Sequence, residues 1–392
     1  MKIKAFLLLA VMVVLNVQSF AQGEAREPNV ITTAVPFVSI GPDARGGSMG
    51  DCGVSSEADV YSMHFNPAKY AYMQDQLSVG LGYSPWLRSL VPDMGLAYLA
   101  FATKLSPNSA LAATLRYFKV GEITFTDQTG HENGTYNPNE WAIDVAYSRM
   151  LTDYLSGAVA GRFIYSNLTQ NSEGTNPGWS MAADVAIYYK RPVEWFRDMD
   201  ADIAWGVNIS NIGTKVSYNQ DVNNRDFIPT TLRFGPSLKL QLDEYNSLAF
   251  MVDVTKLLVP TPPVYWNGTD SIRFGYDDNV SVMAGIIQSF YDAPGYDKNG
   301  NGSGAFMEEL AEYNFGVGIE YWYNQVFAAR AGYFNEWAVK GNRKYFTLGA
   351  ALKYNVFGLD VSYLIPIGDY AGVSPLEQTL RFNLTYNMAA RK

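Results

Sequence analysis

The sequence contains few residues that could form covalent or metal cross-links. Among its 392 residues there are one cysteine, Cys52, and two histidines. A single cysteine excludes an intramolecular disulfide and a cysteine metal cluster, and we expect Cys52 to be a small buried side chain. The net charge of −9 argues against nucleic acid as a partner, because nucleic-acid binding depends on basic residues that neutralise phosphates.

Long apolar runs are also scarce. The first residues hold one, because Lys2 and Lys4 precede the apolar run Ala5–Leu15 and small residues lead to Ala21. This arrangement is typical of a secretory signal peptide, and it is too short and wrongly flanked for a membrane span. We expect cleavage after Ala21, removal of residues 1–21 and export of the mature protein. Beyond residue 21, no run approaches the roughly 18 apolar residues that a spanning helix requires.

What the sequence does contain is a two-residue alternation, together with 27 tyrosines and 34 glycines. In EWAIDVAYSRM, Trp141, Ile143 and Val145 alternate with small or charged residues such as Asp144, which is the pattern of a β-strand with one apolar face. The pattern recurs along the chain. In an exported protein it predicts an all-β fold, a 14-stranded antiparallel transmembrane β-barrel with its apolar faces toward the outer-membrane lipid.

The strand count depends on loop lengths, because inner turns of such barrels are short and outer loops are long. A first tally gives fifteen strands, and an even number is restored if VSVMAGIIQSF, 280–290, does not span. Residues 260–312 then form one large extracellular loop, and fourteen strands, seven outer loops and six inner turns result. The inner connection RPVEWFRDMDAD remains longer than usual.

The chain thus divides into a signal peptide (1–21), a non-spanning amino-terminal plug (22–75) and the barrel (76–392). The plug region is glycine-rich and lacks alternation, so it cannot lie in lipid. We expect it inside the lumen or at its periplasmic mouth.

Charged residues on the predicted inward faces have both signs. We expect them to pair across strands and fill the lumen; they are Arg116, Asp144, Arg162, Asp184, Asp202, Arg233, Asp253, Glu320, Arg330 and Arg381.

The plug region also carries a distinctive set of short motifs. AVPF, PDAR, MGD and NPAKY occur in order between residues 34 and 70, and YSPWLRSLVPDMGLAYLA, IIQSFYDAPG and RAGYF follow in the barrel region. With these motifs the mature chain resembles the PorV family of FadL-like outer-membrane barrels, which belong to the type IX secretion system of Bacteroidetes. The residues of the plug signature are Asp43, Arg45, Met49, Gly50, Asp51, Asn66, Pro67 and Ala68.

The resemblance implies a non-enzymatic part in protein export. A PorV-like barrel associates with the secretion translocon barrel, takes up cargo through its carboxy-terminal signal domain and passes it to the cell-surface attachment complex. The resemblance also implies fourteen strands with an amino-terminal plug, in agreement with the count made from the loops.

Two other functions remain open. A FadL-like barrel could take up hydrophobic small molecules through an apolar lumenal pocket, which the charged inward faces disfavour. A lipopolysaccharide-modifying deacylase would need Ser48, in the Gly-x-Ser-x-Gly match Gly46–Gly50, to act with His64. A nucleophile elbow requires a strand-to-helix turn, and no strand is predicted upstream, so we expect no catalytic residue.

The outer loop 260–312 contains the only candidate metal site of the sequence. DKNGNGSGAFME matches the calcium-loop pattern D-x-[DN]-x-[DN]-G-x5-E, which places oxygens at alternate positions and a bidentate glutamate at the twelfth. With two carboxylates, we expect affinity near the millimolar end. The ligands would be Asp297, Asn299, Asn301, Ser303 and Glu308, and no other cofactor is expected.

The same loop holds exposed aromatic residues. Aromatic anchors suit protein partners, although outer aromatics also occur at the membrane interface. Tyr265 and Trp266 are the candidate partner-binding residues.

Overall fold

The computed structural model describes residues 28–88, 90–126, 131–168, 175–195, 199–219, 225–295, 304–368, 376–377 and 379–389. The expected signal peptide, 1–21, lies outside this part of the chain. So do four of the five predicted calcium ligands, namely Asp297, Asn299, Asn301 and Ser303.

Fourteen strands of the described residues form a closed antiparallel barrel, which confirms the predicted fold. They are β1 (Leu77–Pro85), β2 (Gly95–Ser106), β3 (Ser109–Lys119), β6 (Asn139–Met150), β7 (Leu155–Asn167), β8 (Gly178–Trp195), β9 (Met199–Gly213), β10 (Thr231–Gln241), β11 (Asn246–Leu257), β14 (Tyr313–Tyr323), β15 (Phe327–Asn335), β16 (Lys344–Tyr354), β17 (Phe357–Pro366) and β18 (Leu380–Met388). Two outer-loop hairpins add β4 (Ile123–Thr126) with β5 (Glu132–Tyr136), and β12 (Val264–Tyr265) with β13 (Ile272–Phe274). Each barrel strand pairs with its neighbour in the chain order, and β1 closes the ring on β18 from Leu77↔Met388 to Tyr83↔Phe382.

The alternation seen in the sequence is the alternation of the barrel wall. In β6, Ile143, Val145 and Tyr147 are exposed on the outside, whereas Ala142 and Asp144 are buried inside. Apolar side chains that face outward are stable in lipid, and closure pairs the backbone of every strand so that no sheet edge is left.

Connections at the two ends of the barrel differ in length, as predicted. Five turns at one end, which we call the inner end, span 107–108, 151–154, 242–245, 324–326 and 355–356, and the sixth joins β8 to β9. The prediction of a long connection at RPVEWFRDMDAD was wrong, because β8 continues to Trp195 and β9 begins at Met199. The end of this hairpin extends beyond the apolar band that faces lipid. Its charged residues do not alternate with apolar ones, so the sequence pattern did not indicate strands there.

The opposite, outer end carries the long loops, of which 258–312 is the longest. Residues 280–290 do not span: they contain the helix Val282–Gln288, whose first turn is capped by the side chain of Ser281. A second helix, Ala305–Ala311, leads into β14. Of the described helices, none combines the length and apolarity needed to cross a membrane.

Residues 28–75, which we call the plug segment, run through the barrel from its outer to its inner end. At the outer end the Asn29 amide donates to the carbonyl of Val339 (2.8 Å), and toward the inner end Lys104 Nζ donates to the carbonyl of Ala71 (2.7 Å). Short helical turns at Pro36–Ser39, Ala44–Gly47 and Pro67–Tyr72 are its regular structure. Cys52 is fully buried, as predicted.

Candidate functional site: the plug segment and the outer end of the barrel

The wall holds the backbone of the plug segment through buried charged side chains. Arg116 on β3 donates from one guanidinium nitrogen to the carbonyls of Phe37 (3.2 Å), Val38 (2.6 Å) and Ile40 (3.2 Å). The sequence placed Arg116 in the lumen but predicted an ion pair with another strand, whereas its described partners are mainly plug carbonyls. A positive charge can satisfy several carbonyl oxygens that would otherwise be buried without donors.

A buried carboxylate makes the complementary contact on the opposite side of the barrel. Asp253 Oδ2 on β11 accepts hydrogen bonds from the backbone amides of Gly53 (2.8 Å) and Val54 (2.9 Å). The guanidinium of Arg233 lies 3.8 Å from the same oxygen. The plug backbone is therefore held between cations and anions of facing walls.

The Asn66-Pro67-Ala68 motif forms the start of a 3-10 helix and binds it to the wall. Asn66 Oδ1 caps the helix by accepting from the Ala68 amide (3.0 Å), and Pro67 occupies the first helical position, where a missing amide costs nothing. Asn66 Nδ2 donates to the carbonyls of Val54 and Ile187, each at 2.9 Å. One buried side chain thus joins two parts of the plug segment to β8.

Asp43 caps the one-turn helix of the plug segment, and Arg45 lies within it. Asp43 Oδ2 caps that turn by accepting from the Gly46 amide (2.7 Å), and burial raises the pKa of Asp43 to about 6. Arg45 forms a two-pronged pair with Glu320 on β14 (2.9 and 2.7 Å) and also contacts Asp59 (3.0 Å). This ion-pair network joins the helix to the barrel wall.

Gly50 and Asp51 mark the closest approach of the plug segment to the wall. Gly50 has φ of 67°, and its amide donates to Thr347 Oγ1 (2.9 Å). A Cβ atom on the wall residue Gly332 would lie 2.2 Å from the Gly50 nitrogen, so neither position has room for a side chain. Asp51 accepts from Arg381 (3.0 Å) on β18.

Ser48 does not have the surroundings of a nucleophile. Its hydroxyl donates to the carbonyl of Arg45 (2.7 Å), and among the described residues no hydrogen bond joins it to His64. The His64 ring packs edge-on against Phe65, and burial together with the nearby Arg116 lowers the pKa of His64. Ser48 and the neighbouring Met49 are fully buried, so both fill space between the plug segment and the wall.

Other charged groups of the lumen pair across strands, as expected. Neighbouring strands are joined by Arg162 with Asp144 and Asp184, by Arg330 with Glu320, and by Lys190 with Asp202. Arg330 on β15 also pairs with Asp360 on β17, two strands away. These pairs occupy much of the interior that a transport path would need.

Cavities lie at both ends of the barrel. The outer cavity, of about 670 Å³, has an apolar wall that includes Phe37, Trp86 and Phe118, and it faces Arg233 and Arg381. The inner cavity, of about 640 Å³, is lined by charged side chains of both signs, including Glu57, Lys190, Lys239, Lys353 and Asp360. Of these two cavities, the outer one has the more extended apolar surface.

Residues 23–264 match the family model of the type IX secretion system protein PorV. This chain belongs to the PorV family. It is therefore an outer-membrane β-barrel component of the type IX secretion system. No curated protein matches the sequence.

Solved structures with similar folds include those of aromatic-hydrocarbon and FadL-type channels. The toluene transporter TbuX of Ralstonia pickettii is 12% identical over 90% of this chain and 98% of its own, with a TM-score of 0.46. The toluene transporter TodX of P. putida is 11% identical over 88% and 98%, with a TM-score of 0.49. A Pseudomonas aeruginosa FadL homologue is 10% identical over 92% and 99%, with a TM-score of 0.38. Likeness at this level says nothing about what the PorV-family chain binds.

Of the predicted calcium ligands, Glu308 alone lies in the described part of the chain. Its carboxylate accepts from Lys340 Nζ (2.9 Å), the Gly295 amide (2.9 Å) and Asn29 Nδ2 (3.1 Å). Glu308 thus already connects the outer loop to the start of the plug segment and to the loop after β15.

Tyr265 and Trp266 lie on the β12–β13 hairpin, outside the barrel wall. Their side chains are 46% and 53% exposed, and the guanidinium of Arg273 lies over the Trp266 ring at 4.6 Å. The two helices of the same loop expose further apolar side chains, which sequence reasoning missed. Each helix has seven residues, too few for a helical repeat to be recognised within the loop. The exposed apolar side chains are Met283, Ile287, Phe306 and Leu310.

Proposed function

We propose that this PorV-family chain associates with the secretion translocon barrel, binds the carboxy-terminal signal domain of cargo and passes the cargo to the cell-surface attachment complex without catalysing a reaction. The observation that carries the proposal is the apolar surface of loop 258–312. Met283, Ile287 and Phe306 are 62%, 63% and 73% exposed. Exposed apolar patches of this kind mark interaction sites, and aromatic residues such as Trp266 commonly anchor protein partners.

The interior of the barrel supports the same proposal. Arg116, Asp253 and Asn66 bind the plug segment to three different strands, and buried ion pairs fill the space around it. A folded protein domain could not pass such a lumen. Cargo handling is therefore assigned to the outer surface, while the outward apolar faces of the strands contact outer-membrane lipid.

Uptake of hydrophobic small molecules is the second candidate function. The outer cavity, at about 670 Å³, falls within the range of ordinary ligand pockets, and the rings of Phe37, Trp86 and Phe118 line one side of it. Against uptake, the inner cavity offers charged side chains and no comparable apolar path. Deacylase activity has less support, because Ser48 bonds a backbone carbonyl.

The proposal is tested in a strain that lacks this protein, complemented with variants. We expect cargo to accumulate in the periplasm of the deletion strain and to reach the surface again with the wild type. The double variant Tyr265→Ala with Trp266→Ala should lower surface display and the recovery of the translocon barrel in a native pull-down. The matched control is Trp179→Ala, which removes an equally exposed indole (59%) from the barrel wall.

Normal surface display in the deletion strain would contradict the proposal outright. Recovery of lipid alone in the pull-down, together with loss of hydrocarbon uptake on deletion, would favour the second candidate. If the loop variant and the Trp179 control reduce display equally, the effect comes from insertion of the barrel and the hairpin is not a partner site.

A further inference from the structure

A buried cluster of charged side chains lies at the base of loop 258–312. It is formed by Lys256 at the outer end of β11, Asp292 after the first loop helix, and Glu309 and Glu312 at the end of the second. One carboxylate oxygen of each of Asp292, Glu309 and Glu312 lies within 4.8 Å of those of the other two. Asp292 is completely buried and Glu312 is 4% exposed, so water screens this group of negative charges poorly.

The cluster contains more negative than positive charge. Lys256 Nζ contacts Glu309 (3.0 Å) and Glu312 (2.5 Å), and Lys340 Nζ contacts Glu312 (3.0 Å) and Glu308 (2.9 Å). When all are ionised, two ammonium groups face four carboxylates, with Asp292 as the fourth, and two negative charges remain uncompensated. Buried charge without a counter-charge is strongly unfavourable, so this arrangement favours a further cation.

Asp292 gives a second and independent indication of a ligand. Its Oδ2 atom accepts a hydrogen bond from the Thr261 amide (3.0 Å), but its buried Oδ1 atom has no hydrogen-bond partner among the described residues. A buried carboxylate oxygen without a donor has free coordination capacity.

We propose that Asp292, Glu309 and Glu312 bind a divalent cation, and specifically Ca²⁺. All three offer carboxylate oxygens, the ligand type of hard cations, and neither imidazole nor thiolate stands in the cluster. Ca²⁺ accepts an irregular oxygen shell completed by water, whereas Mg²⁺ demands a nearly ideal octahedron. The ammonium groups of Lys256 and Lys340 lower the affinity without occupying every lone pair of these carboxylates.

Such an ion would join parts of the loop that are distant in sequence. Thr261, which bonds Asp292, lies at the start of the loop, Asp292 lies in its middle, and Glu309 and Glu312 lie at its end. The cation would fix the position of both helices that display the apolar surface. This site shares no ligand with the predicted calcium loop between Asp297 and Glu308.

The test is an isothermal calorimetric titration of the purified full chain in detergent with Ca²⁺. We expect one bound Ca²⁺ with Kd of roughly 10⁻⁴ to 10⁻³ M, typical of extracellular sites. Asp292→Asn should weaken binding by at least about tenfold, because one ligand charge is lost. Asp270→Asn, an exposed acid of the same loop, should leave the affinity unchanged, and so should Asp297→Ala.

Three results would overturn the proposal. The first is no binding to the wild type at about 10 mM Ca²⁺, a concentration above the range for such sites. The others are unaltered affinity in Asp292→Asn, and loss of binding in Asp297→Ala while Asp292→Asn still binds. If Asp292→Asn does not fold, Glu309→Gln replaces it, because Glu309 is partly exposed and its neutral isostere keeps the shape.

Discussion

Replacement of Arg45 by methionine should free the plug segment locally while the barrel stays intact. Methionine keeps most of the apolar stem but removes every donor. The guanidinium of Arg45 bonds Glu320 twice (2.9 and 2.7 Å), Asp59 once (3.0 Å) and the carbonyl of Glu57 once (3.1 Å). Glu320 is 2% exposed, so water cannot replace the lost partner.

The loss of stability depends on which partners Glu320 and Asp59 retain when Arg45 is replaced. Removal of one member of a buried ion pair costs about 3–5 kcal/mol. Glu320 retains Arg330 Nε at 2.7 Å, and the carboxylate of Asp59 is 26% exposed, so neither charge is fully abandoned. We therefore expect a loss at the low end of this range, about 3 kcal/mol, which corresponds to a roughly 100-fold larger equilibrium constant for local opening.

Hydrogen exchange measures this opening directly. Amides of residues 42–60 should exchange roughly 100-fold faster in Arg45→Met than in the wild type, whereas the strand amides of the barrel should be unaffected. Lys119→Met is the control, because it breaks an ion pair with Asp93 (2.8 Å) that is exposed on both sides and contributes little. Equal exchange in Arg45→Met and wild type would refute the reasoning, and so would a uniform increase in all strands.

Further predictions concern other contacts of the plug segment. Gly332→Val should displace the turn at Gly50, since a Cβ at position 332 would lie 2.2 Å from the Gly50 nitrogen. Limited proteolysis should then cleave the plug segment, and a resistance equal to that of the wild type would contradict this displacement. Ser48→Ala should leave lipopolysaccharide acylation, measured by mass spectrometry, unchanged, because the Ser48 hydroxyl donates to the carbonyl of Arg45; a change in acylation would support the enzymatic alternative. Burial lowers the pKa of Lys69 from 10.5 to about 8, so the unfolded segment binds more protons between these values and its free energy of opening should rise as pH rises from 8 to 10.5. Hydrogen exchange should show this rise in the wild type and a smaller one in Lys69→Met, and equal slopes would contradict it.

The sequence predicted the barrel because each strand repeats the same alternation of outward apolar residues with inward small or charged ones. Ile143 and Val145 point outward and Asp144 inward, so one strand suffices to recognise the pattern. The rule failed at the end of the β8–β9 hairpin, where the paired residues Glu194 and Asp200 follow no apolar alternation. A strand outside lipid has no need of an apolar face, and its pattern therefore disappears.

The candidate sites could be predicted only in part, because their contacts join distant residues. The motif around Asn66 marked the plug signature, but nothing local indicates that its amide group reaches Ile187 on β8. Lys256 and Glu312 are likewise separated by the whole outer loop. Charge alone identified Arg116 as lumenal, and it could not distinguish a carboxylate partner from plug carbonyls.

Glycines on the inner face of the barrel wall indicate that the plug segment is a permanent part of the folded barrel. A glycine within a strand costs roughly 0.5–1 kcal/mol relative to alanine, yet inward positions of several strands hold one. A Cβ added at any of these positions would lie within 2.6 Å of a plug atom; they are Gly206, Gly316, Gly318, Gly332 and Gly349. Withdrawal of the segment would leave weakened strands and would remove the plug partners of buried carboxylates such as Glu320 and Asp253. Because the two parts require each other, a stable plugged barrel is expected throughout the working cycle, and the surface left for partners is the outer loop with its exposed helices.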